Sequence, residues 1–117
     1  HHNDEKARAF ADAPNGIIGL ETALAVNVTW LVKPGIVSLA TLIDRMACAP
    51  AKLFHLGGGT LAKGALGDVT VFDPAREWVV DAKTFRTKGR NTPYSGKTLT
   101  GKTRLTVVGG RIAYREA

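Results

Sequence analysis

At 117 residues, 44% hydrophobic and 22% charged, the sequence is long enough to bury one core and too apolar for a disordered segment. No run approaches the length of a membrane span, no secretory leader is visible, and the lone Cys48 excludes an internal disulfide or a cysteine-built zinc site and fits a reducing compartment. The net charge of +6 is uneven, with nine basic and no acidic side chains over residues 82–115 against seven basic and nine acidic over residues 1–81. Such a field attracts phosphate, nucleic acid or an acidic partner face. No helix concentrates these charges and few aromatic side chains lie among them, so a nucleic-acid binder is the weaker reading.

In chain order, residues 1–12 are polar and read as a helical turn or a loop. Without an initiating methionine, and opening on His1-His2, the segment reads as the tail of something longer. An imidazole there binds metal, donates to a carboxylate or is simply solvated. Metal is the weakest of these, because a site needs three or four ligands and no His, Asp and Glu cluster of suitable spacing occurs. The next stretch, Ala13-Pro14-Asn15-Gly16-Ile17-Ile18-Gly19-Leu20-Glu21-Thr22, combines a proline that fixes φ with glycines that free it, and it runs toward a helix. It suits a small anion held by bare peptide N–H groups, and equally an ordinary capped loop.

Leu20, Leu24, Val28 and Leu31 recur at helical spacing and predict a helix from about Leu20 to Val32, closed by Lys33-Pro34-Gly35. Asn27-Val28-Thr29 matches a glycosylation sequon but falls inside that helix and is discarded. Ser38 is the expected N-cap of a second helix, with Leu39, Leu42, Ile43 and Met46 packing on the first. Pro50 ends that helix or opens a third, carrying Leu53, Phe54 and Leu56 and stopped by Gly57. Cys48 reads as a small buried residue, and His55 as structural. Gly57-Gly58-Gly59-Thr60-Leu61-Ala62 spells a loose dinucleotide fingerprint, but helix precedes it where strand is needed, so it is set aside.

From Asp68 the period becomes alternating. Val69 to Asp73 and Trp78 to Asp81 are expected as strands separated by Pro74-Ala75-Arg76, and residues 104–108 and 111–114 as a hairpin about Gly109-Gly110. Residues 84–101 between them form a long loop, which in a compact domain is usually functional or partner-bound.

His1-His2-Asn3-Asp4-Glu5-Lys6, the Ala13–Thr22 stretch with its Gly-Leu-Glu-Thr end, and Asn91-Thr92-Pro93-Tyr94-Ser95-Gly96 together resemble the C-terminal part of a dihydroorotase, among the cyclic amidohydrolases. The resemblance covers nearly the whole chain and disfavours a purification-tag remnant at His1-His2. It implies an α/β architecture: residues 1–56 as the C-terminal end of a TIM-type amidohydrolase barrel, its substrate loop and helices, and residues 57–117 as part of a small β-sandwich. It implies a cytoplasmic enzyme of pyrimidine biosynthesis that interconverts N-carbamoyl-L-aspartate and L-dihydroorotate. One or two zinc ions would be held by residues upstream of this segment, which supplies neither metal ligand nor catalytic residue.

Carried over position by position, His1 matches a histidine that reaches the substrate, and Asn15 and Gly16 match a pair whose backbone touches the same ligand. Asn15 departs from the aromatic residue often found there. The Asn91–Gly96 block is expected to be structural. Implied partners are the small-molecule substrate, the remainder of the chain, and either aspartate transcarbamoylase or a second copy, with neither nucleic acid nor membrane. The alternatives are an inactive dihydroorotase-like partner of aspartate transcarbamoylase, and another cyclic amidohydrolase such as a hydantoinase or allantoinase.

Overall fold

The computed structural model describes residues 3–117, which form a run of short helices followed by a three-stranded antiparallel sheet, a small α/β piece. The polar opening makes one helical turn, α1 (Asn3–Lys6). The first long helix starts later than the Leu20 periodicity predicts. Residues 20–22 are a turn, and α2 (Ala23–Asn27) passes into a π-helical stretch (Val28–Val32) before the expected turn at Lys33-Pro34-Gly35. The widening has a local cause. Asn27 Nδ2 and Thr29 Oγ1 donate to the carbonyls of Ala23 and Ala25, both at 2.7 Å, and so compete with the helix backbone. The following turn then closes from Lys33 N–H to Val28 O at 2.9 Å.

Ser38 caps α3 (Leu39–Ile43) as expected, its Oγ accepting from Thr41 N–H at 3.0 Å. Helix α3 continues through a second π-helical stretch (Asp44–Cys48) into α4 (Ala49–Leu53) without a break, so residues 39–53 are one helical run and not two helices. Pro50 lies in the first turn of α4, directly after the π-helical stretch. Of the expected apolar stripe only Leu42 is buried, with Ile43 and Met46 exposed and Cys48 half-buried. Helix α3 meets the Val28–Val32 stretch and the rest of the run extends beyond it. The stop is His55, not Gly57. With φ of +52°, His55 takes the left-handed cap position, while Leu56 N–H reaches Ala51 O at 2.9 Å and His55 N–H reaches Lys52 O at 3.3 Å, a Schellman closure.

The sheet order is β1 (Val69–Val79), β2 (Thr98–Val108), β3 (Arg111–Arg115). The two strands expected around Pro74-Ala75-Arg76 are one. Asp73 Oδ1 accepts from the N–H groups of Ala75 (2.9 Å) and Arg76 (3.1 Å), folding the proline into a bulge between Asp73 and Glu77. β2 begins at Thr98, so the loop predicted over 84–101 is shorter and opens on a 3₁₀ turn (Ala82–Thr84). Gly109 and Gly110, at φ of +55° and +76°, make the tight hairpin turn that the Gly-Gly pair predicts.

Helix and sheet meet where α2 and its π extension cross β2. Ala25, Val80, Ala82, Phe85 and Leu99 form the core, flanked by Ile18, Val26, Trp78 and Tyr94. Thr100 N–H donates to Thr29 Oγ1 at 2.8 Å, and Trp78 Nε1 donates to Gly101 O at 3.0 Å. Beyond this contact much apolar surface is open, including Val71, Val79, Val108 and Ile112 on the strands. The radius of gyration is 16.2 Å, where a compact domain of this length has about 13 Å. The accessible surface is 8481 Å², where about 6,100 Å² is typical of this mass. Both values exceed those of a compact domain, so the fold leaves apolar surface open. Among the described residues no helix is long and apolar enough to cross a membrane.

Candidate functional site

The Ala13–Thr22 stretch is held between two supports that belong to distant parts of the sequence. On one side, the Lys6 ammonium at the end of α1 donates to the carbonyls of Pro14, Asn15 (3.2 Å) and Gly16 (2.8 Å). An ammonium carries three donors, and these match three consecutive main-chain acceptors. On the other side, Asn91 Nδ2 donates to Gly16 O at 2.7 Å, and Asn91 O accepts from Ile18 N–H at 2.9 Å. Both lone pairs of the Gly16 carbonyl are therefore engaged. Gly16 has φ of +96°, which brings its carbonyl round to these donors at little cost because the residue has no Cβ. The helix does not start here, since α2 opens only at Ala23 and its N-terminus lies beyond the turn at Leu20–Thr22.

Glu21 anchors the far end of the stretch. Its carboxylate accepts from Arg86 N–H (3.1 Å), Thr87 N–H (3.0 Å) and Thr87 Oγ1 (2.6 Å), tying the start of the helical segment to the loop after β1. Burial works to raise the Glu21 pKa. The Thr87 hydroxyl, the Thr87 and Arg86 N–H groups and the Arg90 charge outweigh it and hold the carboxyl below the ordinary 4.5. A depressed folded pKa means these bonds contribute fully above the unfolded value of 4.5 and are lost as pH falls through the lower folded one. Glu21→Gln is expected to remove that acid-side loss and, because the carboxylate is exposed, to cost less than about 1 kcal/mol at neutral pH. Amide exchange at Arg86 and Thr87, compared at neutral and acidic pH, is the measurement.

The Asn91–Gly96 block packs the loop in place, as a structural role requires. Gly96 N–H donates to Val80 O at 2.8 Å, and Tyr94 lies on the core with its ring 5.7 Å from that of Trp30. Asn91 goes further, because its side chain grips the Ala13–Thr22 stretch itself. Of the expected site residues, Asn15 and Gly16 sit in this held loop, and His1 lies outside the described residues. Lys6, Glu21 and Asn91 stood inside the motifs that carry the resemblance, yet nothing in their spacing announced that Lys6 and Asn91 converge on the Gly16 carbonyl or that Glu21 reaches Arg86 and Thr87.

A cavity of about 590 Å³ borders the far end of the stretch, between Leu20, Glu21, Leu24 and the sheet residues Trp78, Lys102 and Tyr114. Two of its basic groups are turned inward, Lys102 Nζ lying 3.8 Å from the Trp78 ring centre and the Arg86 guanidinium 5.6 Å from that of Tyr114. Its polar groups are already paired with one another, Glu21 with Arg86 and Thr87, which suits packing better than chemistry. Among the described residues no three His, Cys, Asp or Glu side chains gather as a metal site would need. The described residues do not fit a zinc centre.

No protein-family model matches the chain. Its sequence aligns over 99% of its length, at 47% identity, with a dihydroorotase of Syntrophus aciditrophicus, and over 98%, at 44%, with one of Geobacter metallireducens. The chain matches the C-terminal portion of dihydroorotases. It spans 27% of the length of each of these relatives. Among solved structures it superposes on L-hydantoinase of Arthrobacter aurescens (TM-score 0.84, 36% identity, 92% of this chain and 24% of that one). It also superposes on D-hydantoinase of a Thermus species (TM-score 0.87, 28% identity, 98% of this chain and 26% of that one). Both are amidohydrolases, so the architecture of this dihydroorotase-like segment recurs in the superfamily.

Proposed function

We propose that this segment is the substrate-gripping C-terminal part of a cytoplasmic, zinc-dependent dihydroorotase that interconverts N-carbamoyl-L-aspartate and L-dihydroorotate. The observation that carries the reading is the Asn15–Gly16 loop, held by Lys6 and Asn91 inside a sequence that aligns with dihydroorotases from end to end. His1, with the main chain of Asn15 and Gly16, holds the substrate carboxylate by hydrogen bonding. The ring chemistry and the zinc ligands belong to residues outside this segment. Residues 1–56 complete the end of an amidohydrolase barrel and residues 57–117 contribute to a β-sandwich, whose other strands cover the open apolar face.

Carboxylate reading separates this function from the second one, a hydantoinase activity, which the superposition on two hydantoinases favours. The test is an assay of the full-length enzyme on L-dihydroorotate and on an unsubstituted hydantoin, beside the isolated 117-residue chain with added zinc. The full-length enzyme is expected to hydrolyse dihydroorotate in preference to the hydantoin, and the isolated chain to turn over neither. Turnover by the isolated chain, or preference for the hydantoin, contradicts the reading. A full-length protein inert toward both would overturn the reading and leave the inactive dihydroorotase-like alternative.

A further inference from the structure

We propose that Lys6 is a positioning residue of the substrate loop, orienting the peptide groups that read the carboxylate without touching the substrate itself. The inference rests on the functional reading above and adds a residue to it. The geometry follows from peptide planarity. All peptide bonds of the described chain are trans, and in a trans peptide the N–H points opposite to the C=O of the same unit. The Pro14, Asn15 and Gly16 carbonyls converge on the Lys6 ammonium. The N–H groups of the same three units, those of Asn15, Gly16 and Ile17, therefore point away from it. One cation fixes three dipoles with their positive ends turned to the opposite side, where an anion is stabilised.

Lys6 is only half-buried, so a charge needed merely to attract an acidic substrate would extend into solvent. Here its donors are directed onto neutral main-chain oxygens. Pro14 contributes a carbonyl without a competing N–H, and Gly16, at φ of +96°, lets the third carbonyl turn in. Asn91 Nδ2 shares the Gly16 oxygen and stabilises the same orientation.

The test uses the full-length enzyme, with L-dihydroorotate and the carboxylate-free ring dihydrouracil as probes, and the variants Lys6→Met and Lys6→Arg. Lys6→Met is expected to raise the Kd and KM for dihydroorotate at least about tenfold, roughly one charge-assisted hydrogen bond, with kcat changed less than about threefold. Dihydrouracil is expected to bind wild type and variant alike, which a general loss of structure would not allow. Lys6→Arg keeps the charge but lacks a tetrahedral set of three donors, and its affinity is expected to stay close to that of Lys6→Met. Full restoration by arginine, or an unchanged Kd in Lys6→Met, overturns the positioning role alone. A wild-type enzyme that fails to bind dihydroorotate overturns the functional reading and the inference with it.

Discussion

Gly101→Val is expected to cost the fold about 2–6 kcal/mol, the sum of about 1–3 kcal/mol for a side chain at a disfavoured backbone angle and a similar amount for overpacking. Gly101 sits in β2 at φ of +98°, and a Cβ built there would lie 3.2 Å from two carbons of the Val28 side chain. The helical half packs against the sheet here, where Val28 and Leu99 are both sealed from solvent. Gly64→Val is the control. Gly64 has a similar φ of +85° but open space around its missing side chain, so it carries the backbone cost without the collision. Thermal unfolding of the full-length protein should show a clearly larger loss for Gly101→Val. Equal losses would mean that the helix does not depend on close approach to β2.

Gly16→Ala is expected to act on affinity more than on folding. Among the described residues, none outside its chain neighbours places an atom within 4 Å of an added Cβ at this position, so space is not the obstacle. The backbone angle is, at a cost of about 1–2 kcal/mol for an L-residue in the left-handed region. Relaxing to negative φ would swing the Gly16 carbonyl off Lys6 and Asn91 and turn the N–H groups of the loop with it. If these groups hold the substrate carboxylate, KM should rise about tenfold to a hundredfold, the equivalent of about 1.5–3 kcal/mol, while kcat changes little. An unchanged KM with lowered thermal stability would assign Gly16 to the scaffold alone.

Much of the local structure was legible because short-range chemistry decides it. The Ser38 cap, the Lys33-Pro34-Gly35 turn and the Gly109-Gly110 hairpin each depend on a few neighbouring residues, and each stands where the sequence places it. The errors arise where a side chain overrides a backbone rule. Pro74 looked like a strand break, but the Asp73 carboxylate satisfies the following N–H groups and β1 runs through. Gly57 looked like the helix stop, but His55 accepted the left-handed angle first.

At the site, the loop was visible from its proline and glycines, whereas its supports were not. Lys6 and Asn91 lie 10 and 75 residues from Gly16, and only the folded chain brings them to one carbonyl. The same holds for Glu21, whose partners Arg86 and Thr87 stand 65 and 66 residues away.

The most direct measurement is the structure of the full-length enzyme with L-dihydroorotate bound. The substrate carboxylate is expected within hydrogen-bond distance, about 2.7–3.2 Å, of the Asn15 and Gly16 main chain and of the His1 ring, on the side of the loop away from Lys6. A carboxylate held by other residues, with this loop turned away from the substrate, would contradict the assignment of substrate recognition to this segment.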